Sequence, residues 1–272
     1  MNTLKDQVIV VSGGSSGIGA AICRAAIAKG AKAVYALSRS GNIPENCEGN
    51  IVGISADVRD AACMKAVAQG ILKNERHIDA LVLAAGNGIA GAIEETSDVE
   101  ARYQFETCFF GLHNAVQAFL PSMRKAGKGK IITIASVASL VPIPYQAFYS
   151  AVKAAVMQYS DALAIEINQF GLQCCCVLPG DTKTGFTAAR KYTEKANEQS
   201  PYHTKRSKSV SKMEKDEKNG MPPEAIASAA IRQLCRKKMT ARVIPGFGYK
   251  AISVLLRIFP TRLVRRIVEM LY

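Results

Sequence analysis

Short apolar runs alternate along this chain with longer stretches whose apolar residues recur every three or four positions. Gln7 to Val11, Ala33 to Leu37, Ile51 to Ser55, Ala80 to Ala84, Lys130 to Ala135, Leu172 to Leu178 and Ala241 to Ile244 are short, mostly apolar and rich in β-branched residues. An exposed strand alternates polar and apolar positions, whereas a nearly continuous apolar run suits a strand covered on both faces. Helix-compatible stretches, such as Ala20 to Lys29 and Arg102 to Leu120, lie between the runs. The alternation predicts an α/β fold with one doubly wound parallel sheet and helices on both faces. Such sheets bind ligands at the carboxyl ends of their strands, so residues after the first, fourth, fifth and sixth runs are expected to share one crevice.

Two stretches depart from this rhythm. Residues 181–220 turn rich in Lys, Glu and Ser and poor in large aliphatics. Composition alone predicts a solvated, mobile insertion. Near the C-terminus, residues 248–272 form an amphipathic basic segment. There Leu263, Val264, Ile267, Val268 and Leu271 make an apolar stripe at helical spacing, with Arg262, Arg265 and Arg266 elsewhere around the turn. Packing of this stripe on its own domain or on an oligomer partner is weighed above contact with a membrane surface. No internal repeat or low-complexity linker divides the chain, and its 272 residues are 49% hydrophobic. A single domain spanning 1–272 is therefore expected.

Two motifs carry candidate chemistry. The first run leads into Ser12-Gly13-Gly14-Ser15-Ser16-Gly17-Ile18-Gly19 and then a helix. A glycine turn between strand and helix lets backbone approach an anion, and the helix N-terminus favours a pyrophosphate there. The second motif is Tyr149-Ser150-Ala151-Val152-Lys153, in which a phenol and an ammonium lie one turn apart on one helix face. A fixed cation favours the phenolate, which makes Tyr149 a candidate acid or base.

Together, Gly13-x-x-x-Gly17-Ile18-Gly19 and Tyr149-x-x-x-Lys153 resemble the short-chain dehydrogenase/reductase family, in particular its steroid- and retinoid-dehydrogenase-like branch. The resemblance implies a Rossmann-type fold and a nicotinamide cofactor held by Gly13, Ser15, Ser16, Gly17, Ile18 and Gly19. It also implies that Asp57-Val58 meet adenine, that Ala85-Gly86 end a strand beside the cofactor, and that Pro179-Gly180 and Thr184 hold the nicotinamide. Ser136, Tyr149 and Lys153 match the family's catalytic positions. On this reading Ser136 bonds the substrate oxygen, Tyr149 exchanges the proton, and Lys153 holds the ribose while lowering the tyrosine pKa. Residues 181–220 fall where family members carry a substrate lid, with Phe186 and then Tyr192 or Tyr202 as its apolar contacts and its charges facing water. Family members commonly pair helices into dimers or tetramers, so a homodimer or homotetramer is expected.

Two departures qualify the resemblance. Cys108 stands where the family has a catalytic asparagine, and Asn114, farther along the same helix, is no obvious replacement. A thiol is a weak hydrogen-bonding group without an amide's fork. Leu83-Ala84 replace two asparagines, which removes an expected polar tether between central strands. These losses motivate an alternative from another class, an NADP(H)-binding scaffold or redox sensor with weak turnover.

At the end of the second run, Ser38-Arg39-Ser40 offers no carboxylate to the adenosine ribose. Arg39 presents a forked donor suited to a 2′-phosphate, with Ser38 beside it, so NADP(H) is preferred over NAD(H). Val141, Pro142, Ile143 and Pro144, near Tyr145 and Phe148, suggest an apolar pocket wall and a lipophilic alcohol or ketone as substrate.

The chain carries 35 Lys plus Arg against 22 Asp plus Glu, a net charge of +13, much of it late in the sequence. No reading module or aromatic platform accompanies this charge, so nucleic acid is not expected as a partner. Eight cysteines occur without a Cys-x-x-Cys pair, and three histidines are scattered, so reduced thiols and no metal site are expected. Met1 to Asp6 run straight into the first strand without a signal-peptide pattern, and no stretch is long and uncharged enough to span a bilayer. A cytoplasmic location is expected, with reversible membrane association admitted.

Overall fold

The computed structural model describes residues 3–47 and 49–272. β1 (Val8–Ser12), α1 (Gly17–Ala28), β2 (Ala33–Ser38), β3 (Ile51–Ser55), α2 (Ala61–Asn74) and β4 (Ala80–Leu83) come first. β5 (Ile89–Ala90), α3 (Asp98–Phe105), α4 (Gly111–Ala126), β6 (Gly129–Ile134), α5 (Ala147–Asn168) and β7 (Leu172–Val177) follow. The last part holds α6 (Phe186–Ala189), β8 (Lys191–Tyr192), α7 (His203–Lys218), α8 (Pro223–Cys235), β9 (Arg242–Val243), α9 (Phe247–Ile258) and α10 (Thr261–Leu271).

Seven strands form one sheet in the order β3-β2-β1-β4-β6-β7-β9, and its pairings are parallel. The seven apolar runs are its seven strands. Their side chains serve two cores, as a run without polar positions requires. From β1, Val8 and Val10 join Met64 of α2, Phe119 of α4 and Val156 of α5. Ile9 and Val11 turn the other way, to Ile22 of α1 and Ile226 of α8. Full burial of each such aliphatic side chain stabilises the fold by roughly 1.5–3 kcal/mol. Strand order reverses between β1 and β4, and the crevice above their carboxyl ends is where the motif loops meet.

Three features differ from the expectations. β5 and β8 pair in a small parallel sheet outside the main one, through Ile89↔Lys191 and Ala90↔Tyr192. Two residues per strand leave too little apolar pattern to read. Residues 203–218, expected as part of a solvated insertion, form the α7 helix. Val210 and Met213 of this helix are buried with Ala90 against Ile143, Tyr145 and Tyr272. The charges of residues 181–220 do not all face water: the Arg206 side chain is 3% exposed beside Glu95, and Arg190 is closed in against Glu217. Tyr192, expected as an apolar contact, is 51% exposed and donates to Glu214 at 3.1 Å. Tyr202 donates to Glu94 at 2.6 Å. The basic C-terminal segment is two helices, broken at Phe259-Pro260. Proline has no amide hydrogen to continue α9 and steers the preceding residue to the extended conformation found at Phe259, where ψ is 137°.

Candidate active site

The crevice begins at the glycine loop. Gly13 has φ +71°, and a Cβ there would stand 2.8 Å from the backbone nitrogen of Ala85. A Cβ on Gly19 would fall on the Gly13 carbonyl oxygen. The loop can therefore lie against the end of β4 only with glycine at these positions. α1 starts at Gly17 with no side-chain cap and no acidic residue in its first turn. Its leading amides, which have no partner within a helix, are the donors a pyrophosphate would meet.

Two cavities open from this loop. The smaller, about 500 Å³, is lined by Ser15, Ser38, Arg39, Asp57 and Val58 among others. The larger, about 700 Å³, is lined by Gly17, Ile18, Gly19, Ser136, Tyr149 and Lys153, with Pro179, Gly180 and Thr184 farther along. Gly13, Ser16, Arg39, Ala85 and Gly86 line both, so the two form one continuous crevice. The candidate residues from the separate motifs are thus brought together along a single path.

At the adenosine end, Arg39 is exposed at the mouth of both cavities. The Ser38 hydroxyl accepts from the Gly41 amide at 3.1 Å and lies 3.2 Å from the Ser40 hydroxyl, which holds the turn behind Arg39. Asp57 is gripped by a residue that motif reading missed. Arg59 donates Nε to Oδ1 at 3.0 Å and Nη2 to Oδ2 at 2.5 Å. These hydrogen bonds hold the Asp57 carboxyl below its ordinary pKa range. The spacing of Asp57 and Arg59 is the only local signal of that pair. Asn114 does not replace the missing asparagine, because its amide donates to the carbonyls of Val58 and Arg59 at 3.0 and 3.2 Å.

At the reacting end, Ser136 follows β6, and Tyr149 and Lys153 lie one turn apart on α5. The Ser136 hydroxyl accepts from the Ala138 amide at 3.1 Å, which orients it. Lys153 is 7% exposed and donates Nζ to the Ile134 carbonyl at 3.0 Å. Its ammonium stands 5.7 Å from the centroid of the Tyr149 ring. Burial pushes the Tyr149 phenol up, while the Lys153 charge and the neighbouring Ser136 hydroxyl pull it down. Phe186 of α6 closes one side, its ring centroid 5.6 Å from that of Tyr149.

Cys108 lies in a π-helical segment, Glu106–Phe110, that joins α3 to α4. Its thiol receives a hydrogen bond from Gln104 Nε2 at 3.1 Å and donates to Asn87 Oδ1 at 3.2 Å. A Cβ on Gly86 would stand 3.7 Å from both the Cys108 sulfur and Lys153 Nζ, so thiol and ammonium both border the backbone at Gly86. Asn87 and Gln104, which sequence reasoning did not single out, supply amides around the position where the family amide is missing. The tether lost with Leu83-Ala84 is partly made good by Ser12, whose carbonyl accepts from the Ala84 amide at 3.1 Å and whose hydroxyl accepts from the Ala85 amide at 3.4 Å.

The roof of the larger cavity comes from α9 and α10. Ile252 and Leu256 of α9 line it with Phe259 at the break, and Val264, Ile267 and Val268 line it from α10. Tyr249 anchors the roof by donating to Asp181 Oδ2 at 2.6 Å. The apolar stripe of α10 therefore packs over its own domain, and what it covers is the site.

A glycine cradle at the switch point of a doubly wound sheet, continuous with a serine, tyrosine and lysine, defines a dinucleotide-dependent oxidoreductase. The model of the short chain dehydrogenase family matches residues 7–195, and the chain belongs to that family. It is 36% identical over 243 residues to the 3-ketodihydrosphingosine reductase of Bacteroides thetaiotaomicron, with 89% of each chain covered. It is 28% identical to the dehydrogenase/reductase SDR family member 7B of Danio rerio, over 94% of this chain and 83% of that protein. Among solved structures, a short-chain dehydrogenase from Streptomyces avermitilis superposes with a TM-score of 0.82 at 29% identity, covering 92% of this chain and 91% of that one. Members of this family bind a nicotinamide cofactor, and the cradle described above fits one.

Proposed function

We propose that this chain is an NADP(H)-dependent oxidoreductase that interconverts a secondary alcohol and a carbonyl on a lipophilic small molecule. The observation that carries this reading is the larger cavity itself, where Ser136, Tyr149 and Lys153 open into a space roofed by the aliphatic side chains of two helices. The nicotinamide, when bound, supplies or accepts the hydride. The chain's own residues do the rest. Ser136 donates a hydrogen bond to the substrate oxygen. Tyr149 delivers its proton to that oxygen in reduction and takes it back in oxidation, and Lys153 stabilises the phenolate that remains.

Preference for NADP(H) is supported by Arg39 at the end of β2, with no carboxylate in Ser38-Arg39-Ser40 to occupy the ribose position. The substrate class is supported by the cavity roof and by the resemblance to the Bacteroides reductase, whose name specifies 3-ketodihydrosphingosine. That compound belongs at the head of a panel with steroid, retinoid and aliphatic carbonyls.

The test follows NADPH absorbance across this panel. Consumption with a lipophilic ketone, and little with sugars, is expected. Tight NADPH binding without turnover on any carbonyl or alcohol would support the cofactor-binding scaffold instead. The redox-sensor variant of that alternative is weakened by Cys108, which is 2% exposed and shielded from bulk oxidants.

A further inference from the structure

α9 gathers Lys250 and Ser253 on one narrow polar strip and is apolar around most of the remaining circumference, more than one buried face requires. Ile252, Leu256 and Phe259 point one way, into the cavity. Phe247, Val254 and Ile258 recur at i, i+7 and i+11 on the other side and are 89%, 51% and 70% exposed. Leu255 and Leu271 line the cavity and are still 45% and 52% exposed, so the rim of its mouth and the outer apolar stripe are one surface.

Charge around this surface is mostly positive, with Glu269 the one carboxylate on either helix. Lys250, Arg262, Arg265 and Arg266 are all exposed. Among the described residues none of these four is in an ion pair. Among the described residues no helix is long and apolar enough to cross a membrane. Exposed aliphatic and aromatic side chains ringed by unpaired cations are the chemistry of a segment that lies in the headgroup region of an anionic bilayer. A second copy of the chain would cover the same stripe, but two-fold pairing would bring the four cations of each copy together with few carboxylates between them.

We propose that α9 and α10 form a docking surface for an anionic lipid bilayer, with Phe247, Val254 and Ile258 entering the acyl layer, the arginines meeting the headgroups, and the cavity mouth facing the membrane. Entry of a lipophilic substrate through that mouth rests on the function proposed above. The docking itself does not, and it is read without substrate.

The test is co-sedimentation of the full chain with vesicles of phosphatidylcholine, with and without phosphatidylglycerol. Binding is expected with the anionic vesicles and should weaken as salt is raised. A combined Phe247→Ser, Val254→Ser, Ile258→Ser variant changes exposed side chains that do not line the cavity. Its sedimentation should fall to the level without vesicles, while its turnover of a short, water-soluble carbonyl stays unchanged. A second variant, Arg262→Glu with Arg265→Glu and Arg266→Glu, should lose the preference for phosphatidylglycerol. Equal sedimentation of the first variant and the unmodified chain would overturn the proposal. So would a dimer, seen by sedimentation equilibrium, that the first variant dissociates, since the stripe would then belong to a second copy. Failure of the substrate panel with vesicle binding intact would count against the substrate reading alone.

Discussion

Tyr149 gains its chemistry from two neighbours that act against its burial. Removing its hydroxyl in Tyr149→Phe takes away the proposed proton donor and leaves the cradle untouched. Turnover should fall by about 10²–10⁴-fold, with NADPH affinity measured by fluorescence titration nearly unchanged. Lys153 lowers the phenol's pKa, so Lys153→Met should raise it. In the oxidation direction the phenolate is the working form, and the rising limb of the pH–rate profile should move to higher pH. In the proposed function Arg39 selects the cofactor. Arg39→Leu should weaken NADPH binding by roughly 10–100-fold, the value of one charge-assisted contact, and change NADH binding little. Stronger binding of NADH than NADPH by the unmodified chain would remove that role. Ser136, Tyr149, Lys153 and Arg39 could be singled out in the sequence because motif and spacing mark them, and folding brings them to one cavity. Arg59, Asn87 and Gln104 could not, because their importance lies in partners reached by folding.

Among the elements, the strands were the easiest to read and α7 the hardest. A strand buried on both faces has an apolar residue at nearly every position, so β1, β2, β4, β6 and β7 stand out against any background, and the edge strands β3 and β9 are marked more weakly. α7 is rich in charge, and its few buried aliphatics do not outweigh that composition. It is held by ion pairs to distant segments: Arg206 with Glu95, and Arg190 with Glu217 at the helix's end. The Arg190 side chain is 0% exposed. Breaking a buried pair from one side leaves an uncompensated charge, so Glu217→Leu should destabilise the chain by about 3–5 kcal/mol. Urea denaturation measures that loss, and limited proteolysis should show earlier cutting between Arg190 and Lys218.

Across the whole molecule, burial sets the alkaline limit of stability. It pushes the phenols of Tyr159 and Tyr272 and the thiols of Cys23 and Cys175 up to about 12. In the unfolded chain thiols titrate near ~8.5 and phenols near ~10. Each group therefore keeps its proton in the folded protein at a pH where the unfolded chain has released it. This contribution is complete below about pH 8.5 and is lost as pH rises through the folded values. Urea midpoints should decline steadily above about pH 9, and a flat profile to pH ~12 would contradict these shifts.

The sequence by itself determined the layers, the sheet and the glycine loop at the end of its first strand. Strand periodicity and the glycine loop are local properties, and a doubly wound sheet brings the ends of β1, β4, β6 and β7 to one edge whatever surrounds them. Only the tertiary structure decided what closes that edge. Whether the apolar stripe of α10 meets its own domain, another chain or lipid depends on where the break at Pro260 turns the chain. Whether the charges of residues 181–220 face water depends on carboxylates as far away as Glu95. Neither relation has a period or a spacing, because each is a contact between segments that meet only when the chain is folded.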